Sequence, residues 1–379
     1  MSSNNTYDVV IIGGGLAGLS AAILLSRKKY KVLVLEKESY PKHKVCGEYV
    51  SMESKPFLEM LGVPVGKMNL PVINKLQVTD IKGYELNTSL PQGGFGISRY
   101  KLDKMLADLA EQAGATLLTK TKADSVQWKQ DAFIVKAKED VFIAKVVCGT
   151  WGRRSNIDVK WQRSFLKERN NALNNYVAVK YHIKYPWPND VVGLHNFTNG
   201  YCGISQVEDG KCCTCYLTTA AGLHKCGNDL KKFERDVVMK NPVLHKIFSN
   251  AEFLFDAPVT ISQISFQKKE QVHEHVLLLG DAAGVITPLC GNGMSMAMHA
   301  AKIAAGLADS FLQGAITRGQ MEKDYITAWK HNFSKRTMLG RIVQNNFGKD
   351  ITTSVFLMAV NTFPFLKNAL IKGTSGKPF

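Results

Sequence analysis

Tyr7-Asp8-Val9-Val10-Ile11-Ile12-Gly13-Gly14-Gly15-Leu16-Ala17-Gly18 decides the fold. Tyr7 to Ile12 is a short run rich in Val and Ile, the composition of a strand buried on both faces. It runs into three glycines, and Leu19 to Leu25 continues with helix formers. Lys31 to Leu35 is a second apolar strand, closed by Glu36. This is a β-α-β unit with its punctuation in place: Gly13 permits the tight turn, Gly15 admits a pyrophosphate, and Gly18 lets helix and strand pack closely. The helix start at Leu16 and Ala17 offers N–H groups and partial positive charge to phosphates. Glu36, 18 positions after Gly18 and followed by Lys37, is placed to accept hydrogen bonds from a ribose. The unit binds a dinucleotide, and by itself fits FAD and NAD equally.

A later segment separates the two. Val276 to Leu279 reads as another buried strand and ends in Gly280-Asp281-Ala282-Ala283-Gly284. Pro288 and Gly291-Asn292-Gly293 follow, then a long Ala/Met/Ile/Leu helix from about Met294 to Phe311. Asp281 can bind a ribityl hydroxyl, and the glycines let backbone approach an isoalloxazine ring. The helix start can face the N1–C2=O edge, where a reduced flavin carries negative charge.

Composition bounds the rest. The 379 residues are 45% hydrophobic and 21% charged, an ordinary globular balance. Lys and Arg number 48 against 32 Asp and Glu, a net +16 that admits a nucleic acid, a membrane surface or an anionic ligand. No helix-turn-helix, zinc-finger or aromatic RNA-binding signature appears, so nucleic acid is not expected. The longest apolar stretch, Val9 to Leu25, is broken by Gly13, Gly14, Gly15 and Gly18 and reads poorly as a membrane span. Met1 to Tyr7 has no basic segment and no cleavage site, so a cytoplasmic location and reduced cysteines are expected. Cys212, Cys213, Cys215 and Cys226 crowd together without paired metal-ligand spacing, and packed strand cysteines account for them better than zinc. His273 and His275 read as a solvated turn; no metal is expected.

The motifs Gly13-x-Gly15-x-x-Gly18 with Glu36, Arg99 before Leu102-Asp103, and Gly280-Asp281-Ala-Ala-Gly resemble the p-hydroxybenzoate hydroxylase-like flavoprotein superfamily, in its geranylgeranyl reductase-like branch. The resemblance spans roughly residues 7 to 315. It implies non-covalent FAD and an α/β fold, with a glutathione-reductase-type nucleotide domain and an inserted mixed-sheet substrate domain. The expected division is 1–60, 97–155 and 272–315 for the FAD-binding domain, 61–96 and 156–271 for the substrate domain, and 316–379 for a helical C-terminal segment. Pro41-Lys42-His43-Lys44-Val45-Cys46-Gly47-Glu48 is similar to the P-x-x-K-x-C-G-E/G segment of prenyl reductases, which lies beside the flavin. Lys44 brings positive charge there; Cys46 is either a catalytic thiol or a structural one, and Gly47 follows it. Ser98 reads as an N-cap, and the family's matching Arg contacts the cofactor, which carries to Arg99.

Two segments depart from the family. Gly149-Thr150-Trp151-Gly152-Arg153-Arg154-Ser155 has Trp151 where the family's G-A-D-G-x-x-S has Asp, which questions nicotinamide handling. Arg153 and Arg154 either bind phosphate instead or are solvated charges. Gly200-Tyr201-Cys202-Gly203-Ile204-Ser205 shares only Gly200 and Tyr201 with the prenyl reductases' G-Y-x-W-x-F-P.

On the substrate side, Val72 to Ile81 and Tyr84 to Leu90 read as a hairpin across Lys82-Gly83. Asn175 to Lys184 alternates with Val177, Val179, Tyr181 and Ile183 on one face, and Asp229 to Lys240 reads as a helix. Residues 316–379 hold ten Lys/Arg against three Asp/Glu, with helices at Lys323 to Met338 and Ile351 to Ile371, the second interrupted near Pro364. This segment is a helical cap, a lid, or an amphipathic foot making peripheral contact with a membrane.

The reading that follows is an FAD-dependent oxidoreductase. An NAD(P)H-dependent monooxygenase hydroxylating an aromatic or polyketide-like small molecule is preferred. The alternative is a flavin-dependent C=C reductase of a prenyl or lipid-like substrate. A halogenase, whose W-x-W-x-I-P signature is missing, and a non-catalytic flavin sensor rank lower.

Overall fold

The computed structural model describes residues 5–166 and 175–379, so residues 167–174 of the expected 156–271 segment lie outside the description. Two sheets carry the chain. In the first, Thr6–Ile12 lies at the centre between Val32–Leu35 and Asp140–Gly149, parallel to both. Thr116–Leu118 extends one side and Val276–Leu278 the other, again in parallel. Val9 to Ile11 are inaccessible to solvent, as a strand with neighbours on both edges and helices over it must be. The helix Leu16–Arg27 packs against Arg99–Gln112 and against Gly293–Leu312. The last is an Ala- and Met-rich helix whose small side chains allow that close contact.

The second sheet runs Glu252–Phe253, Tyr176–Lys184, Cys212–Thr219, Gly200–Gln206, Val191–Phe197, Val72–Thr79, Glu85–Gly96 and Tyr49–Ser51, with Val259–Ile264 pairing onto Tyr176–Lys184. Its pairs are antiparallel except Val191–Phe197 with Val72–Thr79. The hairpin expected across Lys82-Gly83 forms, with Thr79 opposite Glu85. Val177, Val179, Tyr181 and Ile183 share one core face, as their alternation requires. The opposite face of that strand, which alternation would leave to solvent, is buried as well and carries Lys180 and His182. The helix expected over Asp229–Lys240 is shorter: Asp229 caps Leu230–Asp236, and a separate tight turn spans Val238–Lys240. The β-branched pair Val237-Val238 lies at that break, where helix packing restricts such side chains.

Helices Arg318–Asn346, Asp350–Thr362 and Pro364–Thr374 close the described chain, with the break at Pro364 where the sequence places it. Tyr325 is buried, and its hydroxyl donates to the carbonyl of Leu278 at 2.6 Å, fixing the first of these helices to the parallel sheet. Gly348, at φ +76°, accepts a hydrogen bond from Asn199 N–H at 2.7 Å, pinning the next turn to the second sheet. From there Asp350–Thr362 lays Leu357 and Val360 against Val78 and Leu86.

Candidate functional site

The glycine turn after Thr6–Ile12 is shaped by contacts that leave no room for a side chain. Gly13 has φ +108°, and a Cβ on it would stand 2.5 Å from the Thr150 carbonyl oxygen. Glu36, buried at the end of the second strand, accepts the Gly14 N–H at 2.8 Å, the Glu38 N–H at 2.9 Å and the Lys42 ammonium at 2.5 Å. Burial would raise its pKa, but Lys44 and Lys42 hold it below the usual carboxylate range. A carboxylate has about four acceptor sites, so Glu36 keeps capacity for a ribose hydroxyl.

Two cations converge on this turn. Measured from the place a Cβ would occupy on Gly15, Lys44 Nζ is 3.6 Å away and an Arg99 guanidinium nitrogen 3.9 Å. Both are held by Asp103, which is sealed from solvent: Arg99 binds it with two nitrogens at 2.6 and 2.8 Å, and Lys44 at 3.3 Å. Burial works against the Asp103 charge, yet Arg99 and Lys44 keep its pKa low, while burial lowers that of Lys44. Ser98 caps the helix, accepting the Lys101 N–H at 3.1 Å, and its own N–H donates to Glu208 at 2.8 Å. Arg99 is therefore oriented from both ends.

Beneath the segment His43 to Glu48 lies a buried charge cluster. Glu48 is inaccessible and accepts the Arg99 N–H at 2.7 Å, His182 Nε2 at 2.6 Å and the Lys180 ammonium. Burial opposes its ionisation; His182 and Lys180 prevail and its pKa is lowered. The Glu48 N–H points to Cys46 Sγ at 3.4 Å, and Cys213 Sγ donates to the Cys46 carbonyl at 3.3 Å. Among the described residues, one set of potential metal ligands lies within 4.8 Å: Glu48, His182 and Cys213. A Lys180 ammonium already shares that carboxylate.

The remaining loop is the first of the two departures from the family pattern, Gly149 to Ser155. Trp151 Nε1 donates to both oxygens of Asp158 at 3.1 Å and meets Trp161 edge-on. Asp158 also closes a capping box with Ser155 and pairs with the inaccessible Arg163 at 2.9 Å. Arg153 pairs with Asp281 at 3.2 Å, and Arg154 bonds Gln263. Lys269 reaches across with hydrogen bonds to the carbonyls of Arg153 at 2.6 Å and Asp281 at 2.8 Å, its pKa pulled down to about 8 by burial. Trp151 thus serves as a brace for the loop.

These elements line one cavity of about 1300 Å³. Gly13, Gly15, Leu16, Ala17, Glu36, Lys44, Cys46, Gly47, Arg99 and Asp281 are on its wall, as are Pro288, Gly291, Asn292, Gly293 and Met294. Lys37 stands at the rim, exposed, beside Glu38 at 3.8 Å. Gly18 lies behind the wall, with Thr150 Oγ1 2.7 Å from where its Cβ would be. Gly291 has φ +66° and faces the Tyr49 ring, which would sit 3.0 Å from a Cβ. The cavity continues past the cradle into an apolar chamber walled by Leu76, Val78, Leu86 and Leu194 and roofed by Phe347, Phe356, Leu357 and Val360. The cradle suits FAD: a cation pair over the glycine turn, an acid for the ribose, and backbone free of side chains at Gly291 and Gly293 for a flat ring.

Sequence reasoning missed Lys42, Glu48, Asp103, Lys180, His182 and Lys269 as parts of this arrangement. Lys42, Glu48 and Asp103 stood inside segments quoted above with no role assigned to them, Asp103 four residues after Arg99 on one helix face, whereas Lys180, His182 and Lys269 had no local signal. The crowded cysteines divide between faces of their strand: Cys212 belongs to a core cluster, while Cys215 faces the cavity. His273 and His275 flank a tight turn, and His275 pairs with Glu322 at the surface.

Comparison with known proteins agrees with this geometry. The FAD binding domain family matches residues 6–193. Conditioned medium factor receptor 1 of Dictyostelium discoideum is 24% identical, covering 96% of this chain and 72% of its own. Digeranylgeranylglycerophospholipid reductase of Methanosarcina acetivorans is 27% identical, covering 90% and 84%. Among solved structures, the flavin-dependent brominase Bmp2 superposes with a TM-score of 0.80 at 19% identity, covering 99% of this chain and 94% of its own.

Proposed function

The chain belongs to the FAD-dependent oxidoreductases of the p-hydroxybenzoate hydroxylase-like superfamily, geranylgeranyl reductase-like branch, and on that premise we propose that it reduces a C=C bond in an apolar, prenyl-like substrate. The observation that carries this reading is the continuity of the cavity: the flavin cradle opens directly into a chamber walled by aliphatic side chains, and Cys46 lines the same cavity. The digeranylgeranylglycerophospholipid reductase relative points the same way.

When bound, FAD supplies the hydride for such a reduction, and NAD(P)H is the proposed source of its electrons. The protein's part is to bind, orient and exclude water. Lys44 and Arg99, clamped by Asp103, would neutralise the pyrophosphate, and Glu36 would take the ribose. Asp281, held by Arg153 through its carboxylate and by Lys269 through its carbonyl, would bind a ribityl hydroxyl. Cys46, on the cavity wall beside the cradle, is the proposed donor of the proton that the second alkene carbon would take up. One hydride and one proton together complete the saturation of one double bond. The Glu48 N–H, 3.4 Å from Cys46 Sγ, fixes the direction of that side chain.

Hydroxylation of an aromatic or polyketide-like compound is the second reading. It is favoured by Gly203 on the cavity wall, where prenyl reductases place Trp and this chain leaves room for a ring. Product mass decides between them. Incubating the FAD-loaded protein with NADPH and a geranylgeranylated glycerolipid should add two hydrogens per reduced bond; an added oxygen atom, or no product with dithionite as well as NADPH, overturns the proposal.

A further inference from the structure

The last three helices cover the chamber with apolar side chains: Leu357 and Val360 pack on Val78 and Leu86. Other apolar side chains on these helices stand uncovered, Phe363 and Phe365 side by side. Met338, Ile342, Val355, Met358, Phe363 and Phe365 are exposed by 49 to 67%. They are six of the twelve exposed large apolar side chains among the described residues, drawn from a segment of 28 positions. Scattered exposed apolar residues need no explanation, but a concentration of this kind marks a surface with a partner.

Charge identifies the partner. Residues 316–379 carry ten Lys/Arg against three Asp/Glu, and Lys335, Lys349, Lys372 and Lys377 are exposed. A second copy of this chain would bring a like-charged face and repel it. Protruding apolar side chains interleaved with long cationic ones match the headgroup boundary of an anionic bilayer, where ammonium groups meet phosphates and rings reach the acyl region. Among the described residues no helix is long and apolar enough to cross a membrane, so the contact is interfacial.

We propose that helices Arg318–Asn346, Asp350–Thr362 and Pro364–Thr374 dock on an anionic phospholipid surface, placing the chamber roof against the bilayer. Docking stands on the exposed side chains alone. That the bilayer feeds the chamber rests in addition on the apolar-substrate reading above, and vesicle binding is measured without turnover, so the two can fail separately.

Flotation of the full-length, FAD-loaded chain with vesicles tests it. Vesicles of phosphatidylcholine with phosphatidylglycerol should carry the protein up, and phosphatidylcholine alone should not. Raising salt from about 0.1 to about 0.5 M should weaken binding at least roughly tenfold, since the Debye length falls to about half. The triple substitution Met358→Ser/Phe363→Ser/Phe365→Ser should weaken it by roughly a hundredfold, with the flavin absorbance spectrum unchanged. Should that variant lose its flavin, Lys372→Glu/Lys377→Glu, which touches no apolar contact, should abolish the preference for anionic vesicles. Flotation with neither vesicle, equal flotation with both, or variants that bind like the parent would overturn the proposal. So would a concentration-dependent dimer in sedimentation that the same substitutions dissolve.

Discussion

His195 shows what a single buried residue contributes. Its ring is inaccessible, Nδ1 meets Thr79 Oγ1 at 2.9 Å, and burial pushes its pKa down to about 3. The folded chain therefore keeps it neutral where the unfolded chain, with an ordinary pKa of about 6.5, takes up a proton. Its contribution to stability is complete above about pH 6.5 and falls as pH drops toward the folded value, by up to ~1.4 kcal/mol per pH unit. Chemical denaturation at pH 7, 6 and 5 should show a shallower pH slope for His195→Gln than for the parent; equal slopes would remove His195 as the cause. The same scale explains what could be read in advance. Gly13, Gly15 and Glu36 were legible because the chemistry of each lies in its neighbours along the chain, and Arg99 only through the family resemblance. Glu48, Lys180 and His182 were not, because 132 and 134 positions separate the acid from its partners. Nor was Trp151, whose value depends on an indole N–H finding Asp158 after the chain turns.

At the scale of elements, periodicity carried most of the information. The first two strands, the Gly293–Leu312 helix and the hairpin at Lys82-Gly83 form where composition places them, since each is set by its own apolar pattern and turn residues. Tyr176–Lys184 shows where pattern stops: alternation identified one buried face, and only tertiary packing could reveal that the polar face is buried too. The long helix Arg318–Asn346 is held by several distant contacts, among them the Tyr325 hydroxyl on the Leu278 carbonyl at the end of a parallel strand. Tyr325→Phe keeps the ring and leaves that carbonyl unpaired in the core. It should cost about 1–3 kcal/mol of unfolding free energy by urea titration, with FAD affinity nearly unchanged. A loss below a few tenths of a kcal/mol would mean that the helix is anchored elsewhere.

Across the whole molecule, the two sheets meet over a cluster of buried charge. Glu48 draws on both layers at once, through Arg99 from the helix beside the parallel sheet and through Lys180 and His182 from the second sheet. Glu48→Gln leaves the Lys180 ammonium buried without its counter-ion, and should lower stability by about 3–5 kcal/mol. Adding Lys180→Met removes the orphaned charge and should recover a large part of that loss. A double variant no better than the single would show that the hydrogen bonds of Glu48, not its charge, join the layers. The layers differ in another respect, the order in which they are encoded. Every residue of the flavin cradle precedes position 295, whereas Phe347, Phe356, Leu357 and Val360, which roof the chamber, all come later. During translation the cradle emerges first and the roof afterwards. A nascent chain that has reached about position 340 therefore carries every residue of the cradle and none of the roof.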